Sequence, residues 1–103
     1  MATSEASIFR CEGTPGQEIV PLTTDRLSIG RARENDLQIR DDAEVSRRHC
    51  RLLNTNGLYY IQDLHSCNGT IVDGAPIFYH RVYGGEEIRI GQTSLRFRLT
   101  PSA

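Results

Sequence analysis

Toward the C-terminus of this chain, apolar residues return at every second position. Ile88 and Ile90, then Leu95, Phe97 and Leu99, alternate with Arg89, Arg96 and Arg98. A period of two puts successive side chains on opposite faces of a strand, one face toward a core and one toward water. Gly91-Gln92-Thr93 interrupts the pattern as a turn. Shorter runs of the same character recur at intervals of about ten residues, and helix-period signals are weak throughout. The spacing predicts further strands around Ile8–Glu12, Glu18–Leu22, Arg26–Gly30, Asp36–Ile39, His49–Asn54 and Leu58–Leu64. Many short strands at even spacing fold as a sandwich or a barrel.

The segments between the runs carry the residues that tight turns demand: Gly13-Thr14-Pro15-Gly16, Asn54-Thr55-Asn56-Gly57, Asn68-Gly69, Asp73-Gly74 and Gly84-Gly85. Asn56-Gly57 gives the clearest hairpin signal, because both residues tolerate positive φ and both flanks are β-rich. With 103 residues the chain encloses one modest core, so residues 1–103 are expected to form a single domain, with flexible ends at 1–5 and 100–103. A composition of 38% hydrophobic and 24% charged residues, without a long apolar run, agrees with a folded chain that does not cross a membrane. The start, Met1–Ala6, has neither the basic residues nor the apolar stretch of a secretory signal, which suggests a cytoplasmic protein.

Cys11, Cys50 and Cys67 have no C-x-x-C spacing and no histidine partners at zinc-site spacing, and are expected to be free thiols. Neither a metal site nor another cofactor is expected. A net charge of −1 argues against a general nucleic-acid binder, which carries a positive excess to neutralise phosphates. All twelve basic residues are arginine; this suits bidentate contacts to phosphate or carboxylate but follows equally from genomic composition.

Three polar clusters fall in predicted loops, where binding residues commonly sit: Gly30-Arg31, Ser46-Arg47-Arg48-His49 and Ser66-Cys67-Asn68-Gly69-Thr70. Gathered at one end of a sandwich, a guanidinium, a hydroxyl and a side-chain amide would offer charge-assisted donors to a phosphate dianion and a polar grip on a peptide backbone. In order and spacing, Gly30-Arg31, Asn35-Asp36-Leu37-Gln38-Ile39, Val45-Ser46-Arg47-Arg48-His49, Asp63 and Asn68-Gly69-Thr70 resemble the forkhead-associated (FHA) family. The resemblance runs from about Leu27 to Ile90.

What this resemblance implies is an all-β, two-sheet sandwich of about eleven strands, whose loops at one apex bind phosphothreonine in an extended peptide. By motif, Arg31 and Ser46 resemble the family's phosphate contacts, and Arg47 a residue that touches phosphate or peptide. Asn68 resembles the asparagine that holds the peptide main chain. His49 resembles the histidine that braces the loops, and Gly30 and Gly69 the glycines that let the turns form. One position departs: Cys67 stands where the family frequently has Thr or Ser, and a thiol is a poor donor, so the phosphate is expected to be held less tightly. The implied function is that of a signalling adaptor that binds a Thr-phosphorylated partner, a monomeric module of a larger protein.

Two other readings compete. A non-catalytic scaffold could keep the sandwich and bind a partner through another face without phosphate, and Cys67 is its best support. Catalysis is disfavoured, because no nucleophile elbow surrounds Ser46 and Cys67 lacks thiol-protease signatures. Arg31 could also be a surface arginine paired with Glu34 or Asp36. Arg33 and Arg48 could attract an anionic peptide at long range or simply offset Asp41, Asp42 and Glu44. His65 and His80 are expected at the surface, and Tyr59, Tyr60, Tyr79 and Tyr83 in strand packing with wet tips.

Overall fold

A computed structural model describes residues 4–101 and shows eleven strands in two sheets. In chain order these are β1 (Ser4–Arg10), β2 (Glu18–Pro21), β3 (Arg26–Gly30), β4 (Leu37–Gln38), β5 (Cys50–Thr55), β6 (Leu58–Asp63), β7 (Thr70–Val72), β8 (Ala75–Ile77), β9 (Tyr79–Val82), β10 (Glu87–Ile90) and β11 (Thr93–Pro101). One sheet runs β2-β1-β11-β10-β7-β8 and the other β4-β3-β5-β6-β9. Neighbouring strands are antiparallel except β3 and β4, which pair in parallel through Ile29 and Leu37. The expected all-β two-sheet sandwich is therefore present, and no helix long and apolar enough to cross a membrane occurs among the described residues.

Alternation decides the core. Leu95 and Phe97 of β11 are buried while Ser94 and Arg98 face water, and Ile88 and Ile90 of β10 are buried around an exposed Arg89. Leu27 and Ile29 of β3, Leu52 of β5 and Ile61 of β6 meet them from the opposite sheet. Each such side chain, removed from water, stabilises the fold by about 1.5–3 kcal/mol before entropy is counted.

The turn chemistry matches the register. Thr55 pairs with Leu58, which leaves Asn56 and Gly57 as a two-residue loop with φ of 53° and 84°. Positive φ at both central positions matches the right-handed twist of the flanking strands. Asp73 and Gly74 close the β7–β8 hairpin in the same way, with φ of 49° and 82°.

At the ends the structure differs from expectation. Strand β1 begins at Ser4 and ends at Arg10, earlier than the alternation suggested. Its partner β11 extends to Pro101, so Glu5 pairs with Thr100 where frayed chain was expected. Residues 1–3 and 102–103 of the expected flexible ends lie outside the described residues. Strands β7 to β9 were not separately foreseen, because they are three or four residues long and most of β8 and β9 is exposed, which leaves too short an alternation to mark them. Pro76 is tolerated in β8 because that strand lies at a sheet edge.

Candidate functional site

The loops between β3 and β4, β4 and β5, and β6 and β7 meet at one end of the sandwich, and hydrogen bonds tie them into one apex. The Arg31 and Ala32 amides donate to the carbonyls of Ser46 (2.9 Å) and Arg47 (3.1 Å), so the first loop runs alongside the second. That approach is what requires a glycine at position 30. A Cβ there would run into the Arg47 carbonyl oxygen and lie 2.9 Å from Asn35 Nδ2. Asn35 fastens the same corner, donating from Nδ2 to the carbonyls of Ala32 (2.7 Å) and Arg47 (2.8 Å). The Gly30→Ala variant is expected to lose about 1–3 kcal/mol of stability, read as a lower urea midpoint, because Arg47's backbone has to move.

His49 is fully buried and clasps two loops. Its Nδ1 accepts from the Ser46 amide at 3.0 Å, and its Nε2 faces the Gly69 carbonyl at 2.8 Å. A carbonyl can only accept, so the proton sits on Nε2 and the ring is the neutral tautomer that fits both partners. Gly69, at φ 85°, turns its carbonyl toward the histidine while its amide donates to Ser66 Oγ.

Asp63, which the family pattern included without a role, is a second clasp. Its carboxylate accepts from the Ser66 hydroxyl and amide and from Thr70 Oγ1 (2.8 Å). Burial pushes its pKa up, but the hydrogen bonds from Ser66 and Thr70 outweigh it, and the net direction is down. Asp42 is a third, which sequence reasoning missed by treating Asp41, Asp42 and Glu44 only as acidic charges for Arg33 and Arg48 to offset. It accepts from Thr93 Oγ1 (2.7 Å), the Gln92 amide (2.7 Å) and the Glu44 amide (3.0 Å), joining the apex to the β10–β11 turn. The Thr93 hydroxyl is the leading cause of its lowered pKa.

Both depressed carboxylates contribute stability that is complete above the ordinary aspartate pKa of about 3.9 and is lost as pH falls through the folded values. Urea unfolding followed from pH 7 to pH 3 should therefore show a plateau and then a decline at the acid end. The decline should be shallower in Asp63→Asn.

This frame brings together Arg31, Ser46, Cys67 and Asn68. Arg31 is exposed, and its Nε donates to the Val45 carbonyl at 3.0 Å. Among the described residues its terminal guanidinium nitrogens have no partner, and neither Glu34 nor Asp36 pairs with it; Asp36 accepts instead from Ser28. Ser46 Oγ accepts from the Cys67 amide at 2.9 Å, which leaves its own proton free to donate outward. Asn68 Nδ2 donates to the Glu44 carbonyl at 2.9 Å, leaving its Oδ1 and second N–H for a ligand. Arg47 anchors the loop through its carbonyl while its side chain is exposed. Cys67 is exposed beside Asn68, and Ser66 cannot replace it as a donor because its hydroxyl is spent on Asp63.

The arrangement suits an anion and does not suit nucleophilic catalysis. Ser46 Oγ is bonded to Cys67, and His49 takes the Ser46 amide, so no serine–histidine dyad forms. Burial, with the nearby Asp63 charge, pushes the Cys50 thiol up to about 12 and keeps it protonated. All three cysteines are free, and no group of metal-ligating side chains occurs among the described residues.

A sequence model described as the FHA domain matches residues 27–91. FhaB of Mycobacterium tuberculosis, an FHA domain-containing protein, is 38% identical over 80 residues, covering 77% of this chain and 51% of FhaB. An ABC transporter ATP-binding/permease protein of the same organism is 36% identical over 97 residues, covering 94% of this chain and 11% of the transporter. The chain thus spans about half the length of one relative and about a tenth of the other. A solved structure from a study of phosphothreonine-dependent FHA domain interactions superposes with a TM-score of 0.83 at 26% identity, covering 95% of this chain and 99% of that one. The family match spans the three apex loops and the strands that hold them, and the chain belongs to the FHA domain family.

Proposed function

We propose that this chain is a phosphothreonine-dependent peptide-binding module that acts as a signalling adaptor and not as an enzyme. The observation that carries the reading is the apex itself: Arg31 with free terminal nitrogens, beside a Ser46 hydroxyl whose oxygen is already occupied and whose proton is not. A guanidinium and a hydroxyl together match a phosphate dianion in charge and in donors. In this reading Arg31 and Ser46 hold the phosphate, Arg47 adds charge at the rim, and Asn68 orients the peptide main chain. Gly30, His49 and Gly69 keep the loops in place. The partner is a Thr-phosphorylated protein, and a cytoplasmic setting accords with three free thiols.

The similar FHA structure described for phosphothreonine-dependent interactions supports the ligand class, and FHA domains as a family are binding modules. Cys67 sets the strength. Cys67→Thr would add a hydroxyl beside the phosphate position, and affinity should rise about five- to tenfold, measured by calorimetry.

A degenerate phosphothreonine peptide library passed over the immobilised chain tests the reading. The phosphorylated library should be retained with preferences at flanking positions, and the same library after phosphatase treatment should wash through. Equal retention of both would favour a scaffold that binds without phosphate.

A further inference from the structure

The strand arginines of this chain are divided between its two sheets. Every ion pair among the described residues uses Arg10, Arg96 or Arg98, all on the six-stranded sheet, with Glu12, Glu18 and Asp41 as partners. The five-stranded sheet is different. Arg26 and Ser28 of β3 and Arg51 of β5 alternate with the buried Leu27, Ile29, Cys50 and Leu52, so they stand on its outer face, with Ser28 and Arg51 directly opposite in register. Together with Arg48, Asp36 and Leu64 they line one open groove. Asp36, its only carboxylate, is engaged by the Ser28 amide at 2.8 Å, and none of the three arginines has an ion-pair partner among the described residues.

The position of the groove is as informative as its charge. Asp36 ends the first apex loop, Arg48 lies in the second next to Arg47, and Leu64 opens the third. The groove therefore borders all three apex loops. Arg51 is already oriented, its Nε donating to Gln62 Oε1 at 2.8 Å, so less freedom is lost when its remaining N–H groups engage a carboxylate.

We propose that this groove binds a run of Asp and Glu side chains flanking the phosphothreonine in the same peptide, so that the domain selects phosphorylated sites with an acidic flank. The proposal rests on the phosphopeptide reading of the apex. A chain whose net charge is −1 gains little general attraction for anions, whereas three unpaired guanidiniums in one groove give a local one. Leu64 gives the groove an apolar wall for the methylenes of Glu.

Calorimetric titration of one phosphothreonine peptide, without and with a four-residue Glu extension on either side, tests this in the full chain and in Arg26→Gln/Arg51→Gln. One extension should tighten binding to the unaltered chain about tenfold at low salt. The double variant should lose that gain and bind the unextended peptide as before. Arg26→Gln alone, an exposed position, should lose part of the gain and serves if the double variant unfolds. No gain from either extension, or an equal gain in the variants, would overturn the proposal while the unextended peptide still reports on the apex. A short DNA duplex that binds with the same dependence on Arg26 and Arg51, without a gain from the Glu extensions, would overturn it in favour of nucleic acid. Binding that requires the Glu run but not the phosphate would uphold the groove and sink the apex reading.

Discussion

Replacing Arg31 with alanine is expected to reduce phosphopeptide affinity at least thirtyfold while leaving the sandwich folded. Truncating one partner of a desolvated, hydrogen-bonded charge pair costs about 2–5 kcal/mol, largely because the other charge is left unpaired. In the proposed reading the other charge is a phosphate dianion, and Arg31 is the guanidinium that the apex presents beside Ser46. The folding cost is smaller, one hydrogen bond from Nε to the Val45 carbonyl, worth about 1 kcal/mol. Calorimetry with a phosphothreonine peptide and thermal melting separate the two effects. Arg31→Lys should recover only part of the binding, because an ammonium keeps the charge without the planar fork and cannot bond Val45 from an Nε. Unchanged affinity in Arg31→Ala would remove Arg31 from the site.

His49→Ala should be the most damaging single change to the frame. The imidazole is fully buried and satisfies the Ser46 amide and the Gly69 carbonyl at once. Its removal leaves a cavity and two unpaired backbone groups on different loops, for an expected loss of about 3–5 kcal/mol. That is a large share of the roughly 5–15 kcal/mol typical of a small domain. Because one of those groups belongs to Ser46, peptide affinity should fall as well, even where the protein remains folded. Urea denaturation and binding measured on the folded fraction distinguish this from Arg31→Ala, which should affect binding far more than stability.

The fold was legible where a strand buries one face. Strands β10 and β11 alternate cleanly because Ile88, Ile90, Leu95 and Phe97 all enter one core, and β3 does so through Leu27 and Ile29. Strands β8 and β9 bury little, and short exposed segments have no periodicity to read; their presence came only through the family resemblance. The apex was legible as a set of residues and not as a mechanism of assembly. Nothing in the local sequence indicates that Gly30 faces the Arg47 carbonyl, since the two are distant in the chain and close only after β3 and β5 pair. Asp42 was missed for the same reason: its partners, Gln92 and Thr93, arrive from the far end of the chain. Nor does the local sequence show that the Ser66 hydroxyl, next to Cys67, is committed to Asp63. A pattern of residue types can name what a site contains, whereas the hydrogen bonds show which donors remain free, and those decide that Ser46 is available and Ser66 is not.

The most direct test of the central claim is a calorimetric titration of this chain with one peptide in three forms: phosphothreonine, phosphoserine and unmodified threonine. Binding should be tight to the first, weaker to the second and undetectable to the third, and it should weaken below about pH 6 as the phosphate dianion takes up a proton and becomes a monoanion. Equal affinity for the phosphorylated and unmodified peptides would contradict a phosphate-holding apex built on Arg31 and Ser46.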